Sequence, residues 1–535
     1  MTILYVASSK NRLKVIEIDG KTGDFIQLVQ DINPIVEPSL TVVHENIGDL
    51  ESRQNAEDSR SDTISATNSD EKVPTSWSLG SYLISDTGQT EWIERHPTFD
   101  SLLYVFTSFW NRASAIVTTY RILDDKEDNS SIEYRARGRL KKLGSVQTKG
   151  FHVSHITFSP DRFRFVHNAN GTIKCKKSPS TMCVGHYMDG SLSFFDCSRD
   201  ANLGEPIRVI VLPEVRPDTR NSTFPNPLPS IHHVTYNPFP HELHLKDENR
   251  HNDDDEDKDE LCRYLLVSDT SKQGRVWTFA VDSKGLPISN KPDSFRKVTY
   301  INPPSGWLTR IVTGSWVAGL ADYRIRRCIV HPKGRYVYML MEFNTVVQVY
   351  EIDPFTGRIS GDCLQEISAI DPEYFGWKKL TGAAVHASAE MYATTTELFV
   401  SNRGFRFFAG SAESSIRVFS IENNGAQLVP KQSLMCEGPV RHFVPNQNRG
   451  LSFGKPFGSS ERYCVSSPAT LFAGSDMGRG SKISHDRNGG TVNNKSSASV
   501  ETFLRRDPEA AGGTFERAGV VDVGMDDITC IAVLE

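Results

Sequence analysis

Four polar residues interrupt strand-like apolar runs in this chain, and their types are those of an acid–base site: His232, Arg326, Glu342 and Arg403. Arginine binds carboxylate or phosphate through two parallel hydrogen bonds and stays charged. Histidine exchanges protons near neutral pH, and a carboxylate can orient it or share its proton. These residues would suit proton transfer on an anionic molecule, provided that the fold brings them to one place.

The elements around these residues follow a repeated pattern, which is clearest from Arg326 to Asp353. An apolar run ends at His331, a Pro-x-Gly turn follows, and two further runs rich in Val and Tyr come next. This pattern predicts strands joined by tight turns, with a four-stranded meander as the unit. If the first strand of each unit lines a central channel, His232 and Arg326 lie near the axis of a ring.

Roughly seven such units follow one another along the chain. They begin near Tyr5, Arg95, Ser154, Ile231, Arg326, Ala384 and Pro439. We therefore predict an all-β fold, a seven-bladed β-propeller of four-stranded antiparallel blades that forms a single domain over 1–535. The C-terminal run from Asp527 to Leu534 is predicted as a last strand that pairs with N-terminal sequence and closes the ring.

Three polar insertions, 44–72, 246–260 and 474–499, are predicted to be disordered. The chain has a net charge of -6, but 246–260 holds nine acidic and three basic residues and 44–72 holds eight and three, which leaves about +5 for the rest. The acidic run lacks EF-hand spacing, so it is interpreted as a solvated loop. The remaining body fits a basic pocket for an anionic substrate, and the overall balance does not indicate a nucleic-acid binder.

Other motifs point away from several classes of protein. The nine cysteines form an odd set without CxxC pairs, which favours reduced thiols and a cytoplasmic location. No apolar run is long enough to cross a membrane, and the N-terminus lacks signal-peptide features. Neither a Gly-rich phosphate loop, an HExxH zinc motif nor a G-x-S-x-G elbow occurs, so no cofactor and no metal is predicted. The oligomeric state is left open.

Two segments resemble the seven-bladed propeller family that contains bacterial 6-phosphogluconolactonases and fungal 3-carboxy-cis,cis-muconate lactonizing enzymes. One is HPKGRYVYMLME from His331 to Glu342, and the other is FVSNRG from Phe399 to Gly404. The resemblance is strongest between Ile231 and Phe443, and it implies the propeller fold predicted above. The Gly-His and Trp-Asp signatures of WD repeats are absent from the sequence.

The resemblance also implies roles for the four polar residues. The family's catalytic histidine falls in an Ile-His segment that matches His232, and its first arginine matches Arg326. Its glutamate lies in a Leu-Met-Glu run that matches Glu342, and its second arginine matches Arg403. His232 would then be the general acid or base, Glu342 would orient it, and the arginines would clamp carboxylates and stabilise developing charge.

Arg441 and His442, in the last unit, resemble the family's rim sequence and are predicted to bind substrate together with Arg326 and Arg403. The expected partner is a small anionic substrate, with neither nucleic acid nor membrane involved. The expected activity is a cycloisomerase that interconverts 3-carboxy-cis,cis-muconate and its muconolactone in aromatic catabolism. A 6-phosphogluconolactonase-like hydrolase and a propeller that binds a protein or metabolite without catalysis are the two alternatives.

Overall fold

The computed structural model describes most of the strand-like sequence, and the described residues are 2–8, 10–19, 25–32, 34, 88–97, 99, 101–109, 113–123, 138–159, 162–167, 173–178, 181–213, 229–237, 264–270, 275–295, 325–342, 345–371, 384–406, 410–411, 414–436, 440–446, 470–475, 482–485, 491–494, 498–505, 514–525 and 528–534. A short 3-10 turn lies at Asn423–Gly425. In this part of the chain, no helix is long and apolar enough to span a membrane.

Strands follow one another along the described part of the chain, as the sequence pattern predicts. The first half contains β1 (Thr2–Ser8), β2 (Arg12–Ile18), β3 (Phe25–Ile32), β4 (Gln89–Arg95), β5 (Leu102–Phe109), β6 (Ser114–Ile122), β7 (Leu140–Gln147), β8 (Val153–Phe158), β9 (Arg162–His167), β10 (Ile173–Ser178), β11 (Thr181–His186), β12 (Ser191–Asp196), β13 (Arg208–Val211), β14 (Ile231–Tyr236), β15 (Tyr264–Asp269), β16 (Arg275–Ala280) and β17 (Asp293–Phe295). The second half contains β18 (Ile325–Val330), β19 (Tyr336–Met341), β20 (Val346–Ile352), β21 (Ile359–Ser368), β22 (Ala384–Ala393), β23 (Glu397–Arg406), β24 (Gly410–Ser411), β25 (Ser414–Glu422), β26 (Gln427–Cys436), β27 (Val440–Asn446), β28 (Thr470–Ser475), β29 (Lys482–His485), β30 (Thr491–Asn494), β31 (Ala498–Arg505), β32 (Phe515–Met525) and β33 (Cys530–Leu534).

The described strands form six four-stranded sheets, one five-stranded sheet and two two-stranded sheets. The larger sheets, written from the innermost strand outward, are β33-β1-β2-β3, β4-β5-β6-β7, β8-β11-β12-β13, β14-β15-β16-β17, β18-β19-β20-β21, β22-β23-β25-β26 and β27-β28-β31-β32. The short strand β24 adds to β23, and β9-β10 and β29-β30 are separate pairs. The predicted all-β propeller with four-stranded antiparallel blades is confirmed.

The innermost strands contact one another in a closed sequence. Strand β4 contacts β8, and the contacts continue through β14, β18, β22, β27 and β33 back to β4. Strand β33 pairs with β1 in a register that runs from Ile3↔Leu534 to Ala7↔Cys530. The predicted closure is therefore confirmed, since the last strand of the chain completes the blade that the first three strands begin. Closure of the ring leaves each blade with only short, protected edges.

The core lies between neighbouring blades, where the second strand of a blade presents large buried side chains. Tyr5, Tyr264 and Tyr338 are fully buried. The Tyr5 hydroxyl donates to the Gly138 carbonyl at 3.1 Å, and the Tyr338 hydroxyl donates to the Gly425 carbonyl at 2.9 Å. Each glycine lies in the next blade with a positive φ, 90° at Gly138 and 114° at Gly425, which a residue without Cβ adopts at little steric cost. These hydrogen bonds fix neighbouring blades to each other.

The three predicted insertions have different outcomes. The segments 44–72 and 246–260 lie outside the described residues. Within 474–499, which is predicted to be disordered, the structure has a hairpin in which Lys482–His485 pairs with Thr491–Asn494. The polar composition favoured disorder, but strand pairing uses backbone groups that every residue except proline carries in full.

Candidate active site

Six of the innermost strands share an irregular pairing register, near the first residues of five of them and in the middle of β22. In β4, β8, β14, β18, β22 and β27 the pairing register shifts by one residue. Such a bulge adds one residue opposite the neighbouring strand and re-aims its side chain, and bulges are frequent beside active sites. We name these residues, together with Glu342 and Arg403, the bulge layer; the bulge residues are Glu91, Ser154, His232, Arg326, Ala389 and Arg441.

Two arginines hold one oxygen of Glu342 in the bulge layer. Arg326 Nη1 donates to Glu342 Oε1 at 2.6 Å, and Arg403 Nη2 donates to the same oxygen at 2.9 Å. The side chains are 13%, 13% and 11% exposed for Arg326, Arg403 and Glu342, so all three face a small opening. Glu342 follows β19 and Arg403 lies in β23, so neighbouring blades supply the two sides of this arrangement.

Backbone groups fix this cluster from behind. Arg326 Nε donates to the Ala389 carbonyl at 2.8 Å. The Ser388 amide donates to the Glu342 carbonyl at 2.9 Å. Arg326 Nη2 forms no hydrogen bond with the described part of the chain, so it is available to a ligand. A planar guanidinium that is held on one side and open on the other suits a carboxylate or a phosphate.

His232 lies beside this cluster and is held neutral. Burial lowers the pKa of His232 well below its ordinary value of 6.5, and the charges of Arg326 and Arg327 lower it further. Its Nδ1 is buried and forms no hydrogen bond with any residue that the structure describes. A neutral imidazole is a proton acceptor, so in the free protein His232 suits a general base rather than an acid.

Arg441 completes the positive side of the site. Burial lowers the pKa of Arg403, and the nearby charges of Arg326 and Arg441 act in the same direction while Glu342 opposes them. Among the residues that the structure describes, three arginines and one carboxylate meet here, so this part of the site carries more positive than negative charge. Such a cluster suits a negatively charged ligand, because the ligand would relieve the repulsion among the arginines.

The residues that follow the bulges form a second layer together with Cys530, the first residue of β33. We name this layer the plug: Trp92, His155, His233, Arg327, Glu390, His442 and Cys530. In this layer Arg327 forms a short ion pair with Glu390, and both side chains are at most 9% exposed. The Arg327 guanidinium also lies 5.4 Å from the centre of the Trp92 ring. The rings of His155 and His233 lie 4.1 Å apart. These contacts close the channel below the bulge layer.

The structure brings His232, Arg326, Glu342, Arg403 and Arg441 together, and it places His442 elsewhere. His442 lies in the plug, where its Nδ1 accepts the Ile531 amide at 3.3 Å and its Nε2 lies 3.7 Å from Cys530 Sγ. Burial lowers the pKa of His442 to about 3, with Arg327 contributing. Glu342 also differs from expectation, because the contacts of its carboxylate are with the two arginines rather than with His232.

Sequence reasoning missed Glu91, although a spacing in the sequence could have found it. His232 stands five residues before Asn237-Pro238, and Arg326 stands five residues before His331-Pro332. Glu91 stands five residues before His96-Pro97 in the same way. The proline ends each inner strand at a fixed distance from its bulge, so the spacing marks the residue that faces the channel.

The structure places a cluster of arginines, Glu342 and a neutral His232 near the innermost strands of a β-propeller. Among the residues that the structure describes, no cluster of His, Cys, Asp and Glu could hold a metal ion. The family model "Lactonase, 7-bladed beta-propeller" matches residues 325–451, which include Arg326, Glu342, Arg403 and Arg441. This match confirms the predicted resemblance to the lactonase propellers.

Solved structures of bacterial proteins share the fold. The periplasmic gluconolactonase PpgL of Pseudomonas aeruginosa matches with a TM-score of 0.53 and 14% identity over 100% of this chain and 99% of that one. A candidate 6-phosphogluconolactonase of Bacteroides uniformis matches with a TM-score of 0.51 and 13% identity over 100% and 99% of the two chains. A Lactobacillus plantarum protein matches with a TM-score of 0.51 and 12% identity over 100% of both chains. A search of curated protein sequences finds no match to the chain.

Proposed function

We propose that this protein is an enzyme that opens or closes the lactone ring of a small polyanionic molecule. The observation that carries the proposal is the pair of arginines that share Glu342 Oε1, at 2.6 Å and 2.9 Å, beside a histidine that is held neutral. In a water-poor channel, fixed guanidinium groups stabilise negative charge that develops on a carbonyl oxygen or an enolate. The match to the lactonase family supports the same class of reaction.

Each residue has a role that its contacts suit. Arg326 and Arg403 bind carboxylate or phosphate groups and stabilise developing charge, and Arg441 adds a third cation. Glu342 keeps the two guanidinium groups close together against their repulsion. His232 accepts a proton from the attacking water in lactone hydrolysis.

The first substrate to test is 3-carboxy-cis,cis-muconate, because it carries three carboxylates for the three arginines and cyclises through one of its own carboxylates. The second is 6-phosphogluconolactone, in which the arginines would hold the phosphate and His232 would activate water. The family name and the names of the similar structures support this lactone-hydrolysing alternative. Non-catalytic binding of a metabolite or protein is the outcome if neither compound reacts.

The experiment offers each compound separately to the purified protein. Loss of the diene absorbance of the muconate supports the cycloisomerase, and acid release from the phosphosugar lactone alone supports the hydrolase. Arg326→Ala should abolish whichever activity is found. Arg12→Ala is the matched control, because Arg12 pairs with Asp31 on outer strands with 42% of its side chain exposed. Equal activity in Arg326→Ala and Arg12→Ala would show that the arginine cluster takes no part in the mechanism.

We also propose that the ring has the seven blades predicted from the sequence, with the sheet that carries β24 counted as one of them. The six cysteines whose side chains the structure describes form no disulfide bond with one another. The cytoplasmic location inferred from the cysteine pattern stays a prediction.

A further inference from the structure

Glu91 occupies in its blade the place that His232, Arg326 and Arg441 occupy in theirs. The register between β4 and β5 shifts between Thr90 and Trp92, so Glu91 is the bulge residue of β4. Two inner strands, β8 and β14, separate β4 from β18 on one side of the ring, and three separate them on the other. The carboxyl group of Glu91 therefore belongs to the wall of the channel that lies across from Arg326.

Glu91 is buried and is held by two neighbours. Its Oε2 accepts a hydrogen bond from Ser108 Oγ at 2.6 Å. Its Oε1 lies 3.3 Å from His152 Nε2, and the two side chains are 8% and 27% exposed. His152 is therefore the more accessible member of the pair, and Glu91 lies behind it. Oε1 is itself buried and forms no hydrogen bond that meets geometric criteria within the described chain.

The segment that carries His152 has an unusual backbone. Lys149 and His152 both have a φ of 63°, the left-handed region that side chains other than glycine seldom occupy. Hydrogen bonds hold the segment there, since the Tyr187 amide donates to the His152 carbonyl at 2.7 Å and the Phe151 amide donates to Asp189 at 3.1 Å. Backbone strain that the surroundings enforce is concentrated at functional sites.

An aromatic side chain connects this pair with His232. The Tyr187 ring lies 5.5 Å from the His152 ring on one side and 5.7 Å from the His232 ring on the other. Tyr187 follows β11, in the blade between those of Glu91 and His232. The wall from Glu91 through His152 and Tyr187 to His232 is therefore continuous.

Glu91, at one end of this wall, differs in protonation from the two histidines, His152 and His232. Burial raises the pKa of Glu91 to about 8, while hydrogen bonds from Ser108 and the Val153 amide act in the opposite direction. Burial lowers the pKa of His152 to about 4. At neutral pH a proton is therefore held by Glu91, while both histidines are neutral. Two titratable groups whose surroundings push their pKa values apart are a common arrangement for an acid and a base.

We propose that Glu91, positioned by His152 and Ser108, is the proton donor of this site and that His232 is the acceptor. This proposal rests on the proposed function. In lactone opening, the oxygen of water bonds to the carbonyl carbon and its proton goes to His232. The ring C–O bond breaks with its electron pair on oxygen, which takes the proton of Glu91. His232 then releases its proton to solvent, and Glu91 takes one up.

Glu91 also serves ring closure. A carboxylate oxygen of the substrate bonds to an alkene carbon, and the π electrons move to the adjacent carbon. That carbon takes the proton of Glu91, and Glu91 takes a new proton from solvent. In both reactions the arginines hold the anionic groups of the substrate, so Glu91 can be neutral without weakening substrate binding.

The test is the pH dependence of kcat in Glu91→Gln, which keeps the shape and the neutral charge of the group but cannot give up a proton. We expect kcat to fall about a hundredfold or more with little change in KM, and the decline of wild-type kcat above about pH 8 to disappear. Glu94→Gln, on the same strand, is the matched control and should behave as wild type. The proposal would be overturned if Glu91→Gln had the same kcat as wild type and if its kcat still declined above about pH 8.

A second variant and a second measurement keep the outcome clear. Ser108→Ala removes a hydrogen bond that favours the carboxylate, so the alkaline decline should move to higher pH. Infrared difference spectra of wild type against Glu91→Gln should show the C=O band of a neutral carboxylic acid at pH 7, and a carboxylate there would overturn the assignment without any turnover. If wild type converts neither compound, the proposed function fails while the infrared result still decides the state of Glu91.

Discussion

The bulge layer and the plug consist of adjacent residues in the sequence that have opposite environments. His232 and His233 are neighbours, as are Arg326 and Arg327. Arg326 leaves one nitrogen free of hydrogen bonds to the described chain and faces an opening, whereas Arg327 is paired with Glu390 and stacked near Trp92. One residue along an inner strand separates a group that we propose to bind substrate from a group that pairs within the protein, because successive side chains of a strand point to different sides.

The difference teaches that residue type alone does not indicate function in this channel. Both layers contain arginine, histidine and glutamate. In the plug the charge of Arg327 is paired with that of Glu390, although Arg327 Nε and His233 Nδ1 form no hydrogen bond with the described residues. In the bulge layer Arg326 leaves Nη2 without a hydrogen bond to the described chain, and we propose that a substrate occupies this position.

The largest effect should come from breaking the plug. Arg327→Ala leaves Glu390 buried without its partner, so we expect the free energy of unfolding to fall by about 3–5 kcal/mol. Arg326→Ala should cost less, because Glu342 retains Arg403 and the cluster faces an opening. Urea unfolding of both variants measures the difference. The double variant Arg327→Met/Glu390→Leu should recover most of the loss, and equal losses in the two single variants would contradict the distinction between the layers.

The next largest effect should appear on acidification. Burial lowers the pKa of both His233 and His442 below the ordinary value of 6.5, and the charge of Arg327 lowers both values further. Below pH 6.5 the unfolded chain therefore binds protons that the folded chain does not, and stability present above that pH is lost as pH falls. We expect about 1 kcal/mol per histidine at roughly pH 5.5.

Unfolding free energies of wild type and His442→Gln, measured between about pH 7.5 and 5.5, check this expectation. The difference between the two slopes of unfolding free energy against pH gives the contribution of His442 alone. Other groups contribute to both slopes, including Glu91, whose raised pKa changes the stability in the opposite direction. Identical slopes would show that His442 is protonated as easily in the folded chain as in the unfolded one.

A smaller effect should distinguish the adjacent residues Arg441 and His442. Arg441→Gln removes one of three cations from the bulge layer, so we expect KM for an anionic substrate to rise about tenfold with little change in kcat. His442→Gln should leave KM unchanged because His442 lies in the plug. Steady-state kinetics measure both variants, and a raised KM in His442→Gln would return this residue to the substrate site predicted from the sequence.

The smallest effect should be seen in chemical labelling, in which the thiol of Cys530 should not react. Cys530 is buried in the plug, and burial raises the pKa of its thiol well above the ordinary value. The thiolate is the reactive form, so Cys530 should resist iodoacetamide in the folded protein, whereas the half-buried Cys363 should react first. Mass spectrometry of the digested protein measures both, and early labelling of Cys530 would show that the plug opens.

The sequence predicted much of the fold because strand and turn signals are local. Alternating apolar runs and Pro-x-Gly turns located the inner strands that begin at Ile231 and Ile325, and the C-terminal run was correctly paired with the first strand. The hairpin at Lys482–His485 and Thr491–Asn494 was not predicted, because its composition is polar and its stability comes from pairing. The Tyr5 and Tyr338 hydrogen bonds to glycines in the next blade were also invisible, since they join distant residues.

For the site, the sequence by itself determined which residue types are available: His232, Arg326, Glu342 and Arg403 stand out from their apolar strands. Only the tertiary structure decided that Glu342 bridges the two arginines, that His442 belongs to the plug and that Glu91 shares the wall of the channel. The reason is that a bulge shifts one residue out of the pairing register. The spacing to the proline can mark the bulge residue in the sequence, but which side chains that residue contacts depends on the neighbouring blades.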